Sequence, residues 1–216
     1  MTETSLSRIV ALVPVRSLTG AKSRLGEPLD AEERADLVLA LLRRVVAAAR
    51  ASTRLADVVV VSRDMDLLMA AGELGAAIVL QGGDGLNEGL TETVEGVLRD
   101  GATAMLVLPA DLPRVTARTI DDLIEAAEPA ARRAPERPLV ALVTDRHATG
   151  TNALLISPPD AIEFRFGDGS RAAHRAEAER AGATYLEVEG PLAFDLDTPE
   201  DLLDADLAGL DHEGGR

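Results

Sequence analysis

The feature that most constrains the fold is an alternation along the chain. Short runs rich in Val, Ile, Leu and Ala recur at 9–13, 57–62, 76–80, 103–108, 139–144, 153–157 and 184–188. Between most of them lie longer stretches with apolar residues at helical spacing. Short apolar, β-branched runs read as buried strands, and strands alternating with helices build a parallel sheet with helices on its faces. The pattern opens as β-α-β-α-β: strand 9–13, helix 31–50, strand 57–62, helix 64–74, strand 76–80. The first helix carries its own start signal, because Asp30 and Glu33 form a capping box. Leu37, Leu41, Val45 and Ala48 then repeat along one face, and Gly75 closes the second helix. Further helices are expected at about 87–100, with Asn87 as a candidate N-cap, at 116–128 and at 170–181. Residues 129–138, with Pro129, Arg132, Arg133 and Arg137, read as an exposed connector. A chain of 216 residues accommodates one such domain, expected over 1–208 with a polar tail at 209–216.

Composition removes several classes of chemistry. With no cysteine there is no disulfide, thiolate metal site or cysteine nucleophile. His147, His174 and His212 are too scattered for a histidine-built zinc site. His174, inside the last helix, reads as structural or solvent-facing rather than catalytic. The net charge of −15 argues against nucleic-acid and anionic-membrane partners. No apolar run approaches 18 residues, and the opening MTETSLSR lacks a basic segment followed by an apolar one. The expected localisation is cytoplasmic.

The remaining signals sit in loops at strand ends. After the first strand come Arg16, a Thr19-Gly20 step, Lys22 and Arg24. A hydrophobic strand running into a glycine-containing loop with three cations is a common way to meet a triphosphate. Lys22 is the only lysine among 22 Lys and Arg residues. A compact ammonium suits bridging phosphate oxygens; a solvated surface lysine is the equally weighted alternative, and no Walker A sequence is present. The 81–87 loop, Gln-Gly-Gly-Asp-Gly-Leu-Asn, reads either as a simple helix entry or as a loop whose amides approach a base or ribose. The fourth strand ends in Pro109-Ala110-Asp111-Leu112-Pro113. A carboxylate at the carboxyl end of a central strand lies where α/β sheets bind ligands. A turn-forming role is the alternative, yet after a long apolar run such a carboxylate needs a partner, for which Mg²⁺ is suited. Thr149-Gly150-Thr151-Asn152 offers hydroxyls and amides, as an oxyanion cradle or as an ordinary turn. Phe164-Arg165-Phe166-Gly167 leads into Ser170-Arg171 at a helix start, with Arg165 and Arg171 adding charge. In the closing segment Thr198, Pro199 and Asp201 read as helix entry. Asp195 and Asp197, beside Phe194, are not explained by capping alone.

In this order the motifs Ala21-Lys22-Ser23-Arg24-Leu25, Leu108-Pro109-Ala110-Asp111-Leu112-Pro113, Thr149-Gly150-Thr151-Asn152, Arg165-Phe166-Gly167-x-x-Ser170 and Asp195-Leu196-Asp197-Thr198-Pro199-Glu200-Asp201 resemble those of one family. It is the family of 2-phospho-L-lactate/phosphoenolpyruvate guanylyltransferases of deazaflavin coenzyme F-420 biosynthesis. The resemblance spans about residues 8–207. It implies a nucleotide-diphospho-sugar transferase-like α/β fold: three αβα layers around a mostly parallel, mixed seven-stranded sheet with one reversed strand. It implies that Arg16, Lys22, Arg24 and Asn87 bind GTP, with Lys22 and Arg24 on its phosphates and the 81–87 loop facing the guanosine. It further implies that Asp111, with Asp195 or Asp197, holds Mg²⁺, and that Thr151, Gly167 and Ser170 bind a small phosphorylated three-carbon acid. Lys22, Arg24 and Asp111 form the implied catalytic set. The implied reaction is attack by the acid's phosphate on the α-phosphorus of GTP. The acid is phosphoenolpyruvate, 2-phospho-L-lactate or 3-phosphoglycerate, with phosphoenolpyruvate favoured by a bacterial-looking composition. A homodimer is left open. The competing readings are a related nucleotidyltransferase of molybdenum-cofactor or sugar-acid activation, and a non-catalytic GTP-binding protein.

Overall fold

The computed structural model describes residues 6–15, 29–83, 85–198 and 201, so Arg16, Lys22, Arg24 and the 209–216 tail lie outside the described residues. Seven strands form one sheet: β1 (Ile9–Pro14), β2 (Leu55–Ser62), β3 (Ala77–Leu80), β4 (Ala104–Val107), β5 (Leu139–Thr144), β6 (Thr151–Ser157) and β7 (Thr184–Glu187). Their order is β3-β2-β1-β4-β6-β5-β7. All pairs are parallel except the two made by β6, which runs against β4 and β5. The expected mixed sheet with one reversed strand is therefore present.

β1 shows why its sequence is continuously apolar. All six residues are buried. Ile9, Ala11 and Val13 join the core on one face, and Val10 and Leu12 join the core on the other. A strand covered on both faces has no polar side. The first core is roofed by α1 (Ala31–Ala51), α2 (Met65–Glu73) and, further along, α4 (Ala117–Arg133). The second is roofed by α3 (Leu86–Arg99) and α5 (Ser170–Arg180). These are the three expected layers. No helix among the described residues is long and apolar enough to cross a membrane.

Local signals mostly hold. The Asp30 carboxylate accepts from the amides of Glu32 and Glu33, each at 2.9 Å, while Glu33 accepts from the Asp30 amide at 2.8 Å. The buried face of α1 is Val38, Leu41, Leu42, Val45, Val46 and Ala49. It is rotated from the expected stripe because Leu37 packs sideways, with Leu41, against Phe194 and Leu196 of the closing segment. The expected connector at 129–138 is corrected, since α4 runs through Pro129 to Arg133. Proline removes one helical hydrogen bond. Here the apolar face of Ile120, Leu123, Ile124 and Ala127 continues to buried Ala131, and Arg132 reaches back to Glu128 at 2.7 Å, so packing outweighs the lost bond.

The end of α1 is tied to α4 through one carboxylate. Asp121 accepts from the Ser52 hydroxyl, the Thr53 hydroxyl at 2.8 Å and the Thr53 amide at 3.3 Å. Burial alone raises its pKa, but the Ser52 and Thr53 hydrogen bonds win and hold it below the ordinary aspartate value. A carboxylate depressed in the folded state stabilises above its unfolded pKa, and that contribution is lost as pH falls through the folded value. Asp121→Ala is expected to lower stability by about 1–3 kcal/mol at pH 7 in urea titration, with the difference from wild type shrinking below about pH 4.

Candidate active site

The reversed strand decides where the site lies. β1, β4 and β5 end at one sheet edge, and because β6 runs the other way, it begins there. Asp111 follows β4 at this edge, and Thr151 and Asn152 open β6 beside it. The closing segment crosses the same place: the Leu196 amide donates to the Asp111 carbonyl at 3.0 Å. Asp195 and Asp111 are thereby neighbours, although 84 positions separate them in the chain.

Asp195 is half-buried. Its pKa is raised, first by burial, then by the negative charge of Asp111, with Asp197 adding to it. The Asn152 amide donates to Asp195 Oδ1 at 3.3 Å and to the Leu192 carbonyl at 3.2 Å, which offsets part of this effect. A carboxylate pushed toward neutrality by like charges is one that a cation would relieve. Among the described residues no group of three or more His, Asp or Glu side chains converges as a metal site. Asp111 and Asp195 lie close enough for their charges to repel, and Asp197 stands further along the same segment.

Arginines brace this segment. The guanidinium carbons of Arg114 and Arg146 lie 3.9 and 4.4 Å from the Phe194 ring centroid, within range of cation–π attraction. Arg146 also donates to the Asp195 carbonyl at 3.1 Å and pairs with the Asp201 carboxylate. The second oxygen of Asp201 accepts from the amides of Asp197 and Thr198, both at 2.8 Å. The helix-entry role read for Asp201 is present, and the Asp197 backbone takes part in it.

The second half of the site is built around Thr151. Its hydroxyl lies 3.0 Å from His174 Nδ1, and the Arg165 amide donates to His174 Nε2 at 3.0 Å. The next residue, Phe166, donates its amide to Asn87 Oδ1 at 2.8 Å and accepts from Asn87 Nδ2 at 3.0 Å. Gly167 follows with φ 129°, a backbone region that disfavours any side chain. Ser170, 2 % exposed, opens α5 one residue after the left-handed Gly169. The Arg171 amide donates to the Thr149 carbonyl at 3.1 Å, closing this loop onto β6. Asp111, Asp195, Thr151, Gly167, Ser170 and Asn87 are thus linked by contacts or short chain segments at one edge.

Two expectations change. Asn87 is not the helix N-cap. Gly85 takes that position, its amide donating to Glu88 at 3.0 Å, and Asn87 uses both ends of its amide to clamp Phe166. The glycines before it are braced by Gln81, which donates to the carbonyls of Gly83 and Gly85 at 2.9 and 2.7 Å. Gly89 makes room for this, since a Cβ there would come within 2.5 Å of the Gln81 amide. Arg165 and Arg171 do not add uncompensated charge to the 164–171 loop. Arg165 pairs with Glu163 and Glu177, and Arg171 with Glu187. Arg16, Lys22 and Arg24 lie outside the described residues. Sequence reasoning saw Asn152 only as part of a turn and gave Arg146 and Phe194 no role; their partners Asp195, Asp201 and Arg114 lie 43, 55 and 80 positions away. It read His174 as structural or solvent-facing, and the ring is fully buried.

The family model described as "Guanylyl transferase CofC like" matches residues 9–214. The chain is 47 % identical over 202 residues to a phosphoenolpyruvate guanylyltransferase of Sphaerobacter thermophilus, covering 93 % of this chain and 92 % of that protein. It is 45 % identical to the protein of the same name from Rubrobacter xylanophilus, covering 93 % and 95 %. Among solved structures, a 4-diphosphocytidyl-2C-methyl-D-erythritol synthase matches with TM-score 0.61 at 17 % identity, over 91 % of this chain and 95 % of that one; it shares the fold.

The raised pKa of Asp195 makes a testable statement about stability. The folded state binds this proton more tightly than the unfolded chain, so stability falls as pH rises from the unfolded value, about 3.9, through the folded one. Asp195→Asn is expected to raise the melting temperature at pH 7 in chelated buffer, and the gain is expected to vanish near pH 3. A lower melting temperature for the variant at pH 7 would contradict the charge conflict.

Proposed function

Because the chain belongs to the guanylyl transferase CofC-like family, we propose that it transfers GMP from GTP to the phosphate of phosphoenolpyruvate and releases pyrophosphate, a step of deazaflavin coenzyme F-420 biosynthesis. The observation that carries the reading is the juxtaposition at one sheet edge of the Asp111–Asp195 pair and the Thr151–Ser170 cradle. One half suits a cation and polyphosphate, and the other suits a small anionic acid.

The chemistry asks little of side chains as acids or bases. The attacking oxygen belongs to a phosphate that is already an anion near neutral pH. It attacks the α-phosphorus in line, the bond to the bridging oxygen of the pyrophosphate breaks, and pyrophosphate leaves with that oxygen. No proton has to be removed. What remains is to align two anions and offset their repulsion. Lys22 and Arg24, with Arg16, are proposed to hold the triphosphate from the loop after β1. Asn87 contributes by fixing Phe166 and hence the loop between nucleotide and acid. Thr151, Gly167 and Ser170 are proposed to seat the acid through a hydroxyl and backbone amides.

The donor set at Asp111 and Asp195 is oxygen only, which suits a hard cation such as Mg²⁺. The conflict of charge at Asp195 fits such an occupant, with Asp197 available beside it. When bound, Mg²⁺ supplies positive charge to phosphate oxygens.

Mass spectrometry of products tests the activity. GTP, Mg²⁺ and phosphoenolpyruvate should yield the guanylylated acid and pyrophosphate. 2-Phospho-L-lactate and 3-phosphoglycerate are the acceptor controls and CTP the nucleotide control. An adduct formed only from CTP, or none at all, would overturn the reading. Asp111→Ala is expected to reduce kcat by on the order of 10²-fold or more while circular dichroism is unchanged. Mg²⁺ is expected to raise the melting temperature of the wild type and not that of Asp195→Asn, a readout independent of turnover.

A further inference from the structure

His174 is fully buried, and both ring nitrogens are committed. The Arg165 backbone N–H, 3.0 Å from Nε2, can only donate, so Nε2 carries no proton. Burial, the largest influence, lowers the imidazole pKa to about 4, so the ring is neutral at pH 7 and its single proton sits on Nδ1. Nδ1 lies 3.0 Å from the Thr151 hydroxyl. The direction of that bond follows: Nδ1–H donates and Thr151 Oγ1 accepts, with the Ser170 backbone also bonding the ring. A hydroxyl that accepts from Nδ1 cannot return its own hydrogen to the same atom. That hydrogen is therefore directed away from His174.

The ring also joins two segments. Through Nε2 it fixes Arg165, and its plane packs edge-on against Phe166, with centroids 4.8 Å apart. The Phe166 backbone is clamped by Asn87. One imidazole thus sets the position of Thr151 relative to the loop that carries Gly167 and Ser170.

We propose that His174 is a positioning residue that holds the Thr151 hydroxyl as a hydrogen-bond donor toward an anionic oxygen of the phosphorylated acid, and keeps the 164–170 loop in register with it. The proposal rests on the reading of Thr151, Gly167 and Ser170 as the acid's seat. A neutral donor fixed in this way recognises an anion without adding a positive charge.

Steady-state kinetics with phosphoenolpyruvate and GTP varied in turn test it. His174→Gln places an amide near the Nε2 position, so it can still accept from Arg165 but lacks the donor to Thr151. His174→Asn has the opposite defect. His174→Gln is expected to raise KM for phosphoenolpyruvate about tenfold or more, as for losing a hydrogen bond to a charged group, with a much smaller effect on KM for GTP. His174→Asn is expected to raise it less. Thr151→Val should match His174→Gln, and the double variant should be no worse than Thr151→Val, because both remove the same donor. If Thr151→Val raises this KM and His174→Gln does not, the orienting role fails while the seat stands. If neither variant changes it but GMP transfer proceeds, the seat and the proposal fall while the activity stands. A wild type inactive on phosphoenolpyruvate sinks the proposal together with the function on which it rests. Should His174→Gln not fold, ¹⁵N shifts of the His174 ring in the wild type decide. The Nδ1–H tautomer at pH 7 supports the proposal, and a dominant Nε2–H tautomer overturns it.

Discussion

Two carboxylates brought near enough to repel at the end of a sheet are the feature to which the rest of this structure answers. Left alone, the pair would separate or take up a proton, because burial and mutual repulsion both disfavour the second charge. The fold prevents separation by backbone means, through the bond from the Leu196 amide to the Asp111 carbonyl. It then fixes the Asp195 side chain with Asn152 and the flanking chain with Arg146, Phe194 and Asp201. A charge conflict of this kind is tolerated where function uses it, and the proposed cation would be such a use.

The reversed β6 makes one pair of adjacent residues serve both halves of the site. Successive side chains on a strand point to opposite faces. Asn152 turns to the face of α4 and the closing segment, where it meets Leu192 and Asp195. Thr151 turns to the face of α5, where it meets His174. A parallel strand in this place would bring its last residues to the edge, and the loop after it would have to carry both roles. Antiparallel insertion puts them on the rigid start of a strand instead, which limits how far the two halves can drift apart.

The fold was largely legible because its signals are local. Apolar runs give strands, the Asp30–Glu33 pair gives a helix start, and one motif resemblance supplies the reversed strand that periodicity cannot reveal. The miss at Pro129 arose where a strong local breaker was overridden by the apolar face that continues beyond it to Ala131. The site was legible only in part. Asp111 stood out because a carboxylate after a long apolar run needs a partner, Asp195 because helix capping does not account for it, and Thr151 through its turn and the motif resemblance. Asn152, Arg146 and Phe194 act through partners distant in sequence, and no spacing rule links positions 43, 55 or 80 apart. His174 was visible as a residue, but its role depends on which atoms meet its two nitrogens, and that is a property of the folded chain.

The distribution of charge explains why a neutral histidine belongs here. The protein carries a net charge of −15, yet in the proposed reaction it brings two anions together. The arginines around the 164–171 loop and the closing segment do not supply the balance: Arg165 is shared between Glu163 and Glu177, Arg171 faces Glu187, and Arg146 faces Asp201. Paired cations of this kind order the loop and leave little net field at its surface. On the proposed reading the acid would be held by hydroxyl and amide donors, while positive charge would come from Arg16, Lys22 and Arg24 and from a cation held by Asp111 and Asp195. Such a division has a catalytic consequence. Strong cations on the acid would draw electron density from the attacking phosphate oxygen and weaken it as a nucleophile, whereas neutral donors orient it at less cost to its reactivity. Cations on the nucleotide side would act where charge accumulates as pyrophosphate departs, which is where electrostatic stabilisation lowers the barrier most.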